Sequence, residues 1–367
     1  MRHEHIRLLH AGPQLLLAAV REEFWPIGGR NLARSITRKC VVCTRMRGQV
    51  IKPIMGNLPA VRVSSSSAFD TCGIDFAGPF LIASKKGRGS NITKCFLSLF
   101  VCLQTKALHL ETVSSMSTDA FLLCLRRFVS RRGRPQVIYC DNGTNFVGAK
   151  NELGRVIQAS RQSLSDYASA EKIKFIFSPA YAPHFGGIWE AGIKSANSHL
   201  KRVASNASLT FEELATLFTQ IEAILNSRPL SPLSSDPTDL YPLTPGHFLI
   251  GRPLMSVPSL PVTTKRPNRY EFIEQLRQHF WERWRKEFIA ELQQRTKWRT
   301  RQRDLRTGDM VVLKEDHLPP LRWRLGRITR LYTGADGINR VADIFTAKGT
   351  MRRAFNKICL LLTSPDA

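Results

Sequence analysis

The chain has 367 residues, enough for two or three domains, and its 43% hydrophobic content suits a folded core. Its 54 Lys and Arg outnumber 29 Asp and Glu, and the net charge of +25 points to a polyanionic partner, nucleic acid before anionic lipid. No apolar run reaches the roughly 18 residues of a membrane span, so no membrane span is expected, and the start MRHEHIRLLHAG lacks a secretory apolar region.

Residues 1–52 read as a small helical module. His5-x4-His10 is followed, after 29 intervening residues, by Cys40-x2-Cys43. Two imidazoles about a helical turn apart and a Cys-x2-Cys knuckle make a tetrahedral set for structural Zn²⁺. His3 could compete for the place of His5. The other six cysteines are scattered, which fits the reduced thiols of a cytosolic or nuclear protein. Histidines so near residue 1 suggest a piece of something longer. Residues 53–68, with Pro53, Pro59 and the serine run 64–67, read as a linker.

Residues 69–227 alternate strand and helix. Strands are expected at 71–76, 95–103, 107–113, 136–140 and 173–178, and helices at 118–132, 148–160, 187–204 and 210–226. The first three strands should form an antiparallel meander within a mixed α/β layer fold. Residues 228–269 are proline-rich and should hold no regular helix. A helix follows over 270–300, with Phe280, Trp284 and Phe288 on one face. That stripe suits the core or an oligomer contact, and Trp281, Trp284 and Trp298 suit packing better than base stacking. Residues 301–367 read as a small basic β-barrel of about five strands. On one of them, Arg322, Arg324 and Arg330 alternate onto one face, and Arg327 joins them only through a bulge. That face is either a solvated basic surface or a nucleic-acid surface.

Three acids carry the chemistry. Asp75 lies inside an apolar strand, Asp141 ends the fourth strand in YCDNGTNFVGA, and Glu190 opens a helix in PHFGGIWEAGIKS. Each has a local alternative: a bulge or cap, an Asp-Asn-Gly turn, and a favourable first-turn acid. If the first and fourth strands are neighbours and the helix crosses them, the three converge at one sheet edge. Convergent carboxylates need a cation, and hard oxygen ligands suit Mg²⁺ or Mn²⁺, which support phosphodiester chemistry. Lys194, Asn197 and Lys201 continue the face of Glu190 and could hold a DNA backbone, or simply be solvated.

The order of His-His-Cys-Cys module, D,D,E acids and basic C-terminal domain resembles retroviral-type integrases. GIDFAGPF, YCDNGTNFVGA, PHFGGIWEAGIKS, LTPGHFLIGRPL and the run from QQRTKWRT to RWRLGRI resemble more closely the integrase region of Pao/BEL-type retrotransposon polyproteins. The resemblance spans essentially the whole chain. It implies an RNase H-like core with a catalytic triad of Asp75, Asp141 and Glu190, and zinc ligands His5, His10, Cys40 and Cys43. It implies 3′-end processing of element DNA, then strand transfer into target DNA, by a homo-oligomer acting in the nucleus after a cytoplasmic phase. It also tips Arg322 and Arg324 toward DNA. The 48 residues between Asp141 and Glu190 exceed the spacing typical of retroviral enzymes. The alternative is a non-catalytic DNA-binding protein derived from an integrase.

Overall fold

The computed structural model describes residues 1–47, 62, 66–87, 89–141, 145–152, 173–177, 207–257, 267–292, 305–315, 318–334, 337 and 339–361. The chain divides into two compact units, Met1–Leu58 and Pro59–Ala367.

The first unit holds four short helices: α1 (Arg2–Arg7), α2 (Pro13–Arg21), α3 (Gly29–Lys39) and α4 (Val41–Arg47). Pro13 opens α2 at a position whose N–H would lack a partner in any case. Among the described residues its apolar core is small, a buried cluster of Leu16, Val20 and Ala33. A core of that size supplies little stability without a cross-link or a metal.

The second unit is built on a five-stranded sheet. Its strands are β1 (Thr71–Ala83), β2 (Ile92–Cys102), β3 (Leu108–Val113), β4 (Val137–Cys140) and β5 (Lys174–Phe177). The order across the sheet is β3-β2-β1-β4-β5. The first three strands form the expected antiparallel meander, and β4 and β5 run parallel to β1. Helix α5 (Thr118–Arg132), capped by Ser117, makes the crossover from β3 to β4. This mixed sheet with helices is consistent with the RNase H-like core that the resemblance implied. A further helical stretch covers 145–152, three residues earlier than expected; the rest of that predicted helix lies outside the described residues.

Strand alternation divides the apolar residues between two faces. Cys72, Ile74, Phe100, Ile138 and Cys140 pack with Phe121, Leu125 and Phe128 of α5. Ala77, Leu97, Leu99 and Leu110 pack on the other face against α6 (Phe211–Asn226) and α8 (Arg269–Leu292). Thr210 and Glu213 close a reciprocal capping box at the start of α6. Strand β3 is the sheet edge, and its outward backbone is covered by α6. Asn226 accepts the Leu108 N–H at 2.8 Å and donates to the Leu108 carbonyl at 2.7 Å, and Glu222 accepts the Leu110 N–H at 2.8 Å. An edge covered this way cannot recruit a foreign strand.

The proline-rich stretch contains a small two-stranded ladder, β6 (Ser231–Pro232) with β7 (Pro242–Leu243), and one short helix, α7 (Pro245–Ile250). The helix corrects the expectation that no regular helix would form there. Pro245 sits in its first turn, where proline is tolerated, and Gly251 closes it in a left-handed conformation at φ 72°.

The C-terminal strands are β8 (Met310–Leu313), β9 (Leu325–Thr333), β10 (Asn339–Thr346), β11 (Gly349–Ala354) and β12 (Ile358–Leu360). They form one sheet in the order β11-β10-β9-β8-β12. The closed barrel expected from sequence is corrected: among the described residues β11 and β12 are the two edges of an open sheet. A 3₁₀ turn at Phe355–Lys357 separates them, where sequence suggested one continuous strand. Trp323 joins this sheet to the rest of the unit, packing against Trp281, Trp284 and Phe288 of α8 and donating to Ser227 Oγ at 3.3 Å. The apolar stripe of α8 is therefore core in its own chain, with Phe280, Trp281 and Trp284 all buried. Trp298 lies outside the described residues.

Candidate functional site

In the first unit His5, His10, Cys40 and Cys43 converge, with their ligand atoms all within 4.8 Å of one another. His10 Nδ1 lies 3.3 Å from His5 Nε2 and 3.2 Å from Cys40 Sγ, and Cys43 Sγ lies 3.4 Å from His5 Nε2. A tetrahedron with Zn–N near 2.0–2.1 Å and Zn–S near 2.3 Å has edges of about 3.3–3.8 Å. The group can therefore hold zinc.

The way His10 arrives differs from expectation. Helix α1 stops at Arg7, and Leu9 and His10 adopt left-handed backbone at φ 50° and 65°. Such angles are uncommon outside glycine. They turn the chain back so that His10 meets His5 from a loop. His5 Nδ1–H donates to the Ala11 carbonyl at 3.0 Å, which leaves Nε2 facing the cluster with its lone pair. The Cys43 backbone N–H and the His5 ring hold the Cys40 thiol down at about 6, close to the thiolate that a metal takes. By contrast, burial pushes Cys95 up to about 11 and Cys124 and Cys140 up to about 12.

In the second unit the parallel pairing of β1 and β4 runs Thr71↔Val137, Cys72↔Ile138 and Gly73↔Tyr139. Two residues beyond the last pair, along both strands, stand Asp75 and Asp141. Adjacent strands lie about 4.8 Å apart, and alternation puts both acids on the face that carries Ala77 and Tyr139. Asp75 is half-buried and accepts the Phe76 N–H at 2.7 Å, while Asp141 is exposed just past the end of β4. Asp141 also adds to the upward push on Cys140, after burial. Asn145, four residues on, is buried, and its Nδ2 donor has no partner among the described residues. Glu190, Lys194, Asn197 and Lys201 lie outside the described residues.

The C-terminal arginines divide by role. Arg322 is exposed and Arg324 is half-buried, with its Nε 3.1 Å from Glu315 Oε2. Both precede β9, so the single strand expected to carry them with Arg330 is corrected. Arg327 is buried and structural, donating to the carbonyls of Ser234, Asp239 and Gly308 at 2.9–3.2 Å. The register shifts between the pairs Ile344↔Ile328 and Asp343↔Arg330, which leaves Thr329 as the extra residue of a bulge.

Past that bulge, Asp343 is flanked across three strands by Arg330 and Arg352. The two guanidinium groups lie 5.1 and 4.3 Å from the centre of the Tyr332 ring. Hydrogen bonds from Arg352 and then Tyr332 hold the Asp343 carboxyl down at about 2. Arginines around an accessible aromatic ring suit nucleic acid. Sequence reasoning missed Tyr332 and Arg352, because the bulge changes which residues share a face.

Residues 268–361 match the model of a family of unknown function, DUF5641. The match takes in α8 and the C-terminal sheet. A chain in the cryo-EM structure of the simian T-cell lymphotropic virus intasome in complex with PP2A regulatory subunit B56 gamma is similar at 14% identity, over 99% of each chain, with a TM-score of 0.36. A score of that size establishes no common architecture. The curated proteins contain no match.

Proposed function

We propose that this chain is a DNA integrase of the Pao/BEL retrotransposon type, a polynucleotidyl transferase that processes element 3′ ends and joins them to target DNA. The observation that supports the reading is the parallel pairing of β1 with β4, whose last pair, Gly73↔Tyr139, lies two residues short of Asp75 and Asp141. Two carboxylates brought together there would repel each other unless a cation sat between them. With Glu190 as third ligand they would hold Mg²⁺ or Mn²⁺. Such an ion, when bound, activates an attacking oxygen and stabilises the leaving one.

The chain's own residues do the rest. Asp75 accepts the Phe76 N–H, which orients its carboxylate. Backbone phosphates would be gripped by Lys194, Asn197 and Lys201 beside the acids, and by Arg322 and Arg324 in the C-terminal part. His5, His10, Cys40 and Cys43 would hold Zn²⁺ as a structural staple for the first unit. Two DNA ends must be held at once, so a homo-oligomer acts, in the nucleus where chromosomal DNA is met.

The test is a strand-transfer assay with purified protein, Mg²⁺ or Mn²⁺, a labelled duplex carrying the parent element's terminal sequence, and a plasmid target. Joined product is expected, and Asp141→Asn should abolish it. Cleavage without joining would replace the integrase with a nuclease. Salt-sensitive DNA binding with neither reaction, from folded zinc-loaded protein, would leave the non-catalytic DNA-binding reading.

A further inference from the structure

The turn between β1 and β2 borders a cleft of about 400 Å³ that plays no part in the acid pair or the zinc cluster. Its walls include Lys85, Lys86 and Ser90 from the turn, and Ser208 and Arg269 from the entries to α6 and α8. Two segments distant in sequence thus bring three cations to one concavity. We propose that this cleft binds a backbone phosphate of duplex DNA. The proposal rests on the DNA-directed reading above and adds a contact away from the acids.

The turn is built to hold its lysines in place. Ser90 Oγ accepts the Lys85 N–H at 3.4 Å, and Ser84 Oγ accepts the Asn91 N–H at 3.1 Å. Gly87 and Gly89 take left-handed backbone at φ 93° and 72°, with nothing within 4 Å of where a Cβ would stand. They serve the path of the turn and leave its mouth open. On the opposite wall Arg269 donates to the Ser208 carbonyl at 3.2 Å and to Glu213 Oε1 at 3.0 Å. Lys86 Nζ also lies 3.7 Å from Glu213 Oε1.

Charge then favours an anion. Lys85, Lys86 and Arg269 against the single carboxylate of Glu213 leave two positive charges. Among the described residues no carboxylate pairs with the exposed Lys85. A phosphodiester oxygen is a monoanionic acceptor suited to such a site, and a lysine ammonium serves it as a point charge.

Distance separates this cleft from the chemistry. Asp75 and Ala83 are eight residues apart on β1, at most about 26 Å at roughly 3.3 Å per residue. With one phosphate per roughly 3.4 Å of a B-DNA strand, that is at most about eight nucleotides. The cleft would grip a duplex well inside its end and align it, without touching the reacting bond.

The experiment is fluorescence anisotropy with full-length zinc-loaded protein, in Ca²⁺ to silence chemistry, on labelled duplexes of about 30 base pairs and unrelated sequence. Salt is varied, and wild type is compared with Lys85→Ala, Lys85→Arg and Lys286→Ala. Lys85 and Lys286 are exposed, so folding should be unaffected. Lys85→Ala should weaken binding equally for all sequences and make the log K against log salt slope shallower by about 1. Lys85→Arg should restore it, and Lys286→Ala should match wild type. An unchanged slope in Lys85→Ala beside normal wild-type binding would overturn this proposal alone. Wild-type protein that binds no DNA would overturn the DNA-directed reading with it. Inorganic phosphate is titrated in parallel. Saturable phosphate binding lost in Lys85→Ala, with DNA binding untouched, would make this a free-phosphate site and overturn the DNA assignment.

Discussion

At the scale of single residues, the two acids are the most exacting feature. Partners that merely orient metal ligands cost about 10–100-fold when removed, so Asp75→Asn or Asp141→Asn should lower joining by at least about a hundredfold. The folded near-ultraviolet circular dichroism should be unchanged. The strand positions of both residues were legible in the sequence, because an acid inside an apolar strand and an acid in a strand-ending turn each have a recognisable setting. Tyr332 and Arg352 were not, since a one-residue bulge is invisible to a two-residue repeat. Glu213 offers a second test. A hydrogen bond from Arg269 holds its carboxyl down at about 2, below the ordinary range near 4.5. A depressed carboxyl pKa contributes stability that is complete above the unfolded value and is lost as pH falls through the folded one. Urea midpoints of wild type should therefore drop between about pH 4.5 and 2. Glu213→Gln should flatten that part of the curve, as measured against the wild-type profile.

At the scale of elements, β3 is bound to α5 and α6 through a buried charged network. His109 lies 3.2 Å from both Glu111 and Glu222, Arg127 donates to Glu111 at 2.7 Å, and Arg132 pairs with Glu222. Burial opposes charge on His109, but its bonds to Glu111 and Glu222 outweigh this and raise its pKa. Removing one member of a buried ionic group strands the others, so Glu222→Ala should destabilise the second unit by about 3–5 kcal/mol in urea unfolding. Because a raised histidine pKa stabilises below the unfolded value, the wild type should also lose stability as pH rises past about 6.5. The meander, α5 and α6 were readable from periodicity and caps. Helix α7 was not, because proline counts against a helix in general and favours one only at its first turn. The open C-terminal sheet was also missed, since strand count alone does not say whether the edges meet.

At the scale of the whole molecule, the two compact units should respond separately to metal removal. Among the described residues the first has one small buried apolar cluster, Leu16, Val20 and Ala33, against two large clusters in the second. Chelation of zinc, or Cys43→Ser, should unfold residues 1–58 while the second unit keeps its thermal transition. Differential scanning calorimetry of the full chain before and after chelation reads this directly, with loss of one transition as the expected result. The charge excess points from composition to a polyanionic partner, but not to a place on the surface for it. The parallel register at the acid pair has a temporal meaning as well. Asp75 and Asp141 stand 66 positions apart, and β2, β3 and α5 are made between them. On a ribosome the first unit can close while the rest is unmade, whereas the carboxylates become neighbours only after β4 has emerged and docked. A nascent chain thus carries no acid pair until synthesis has passed Asp141.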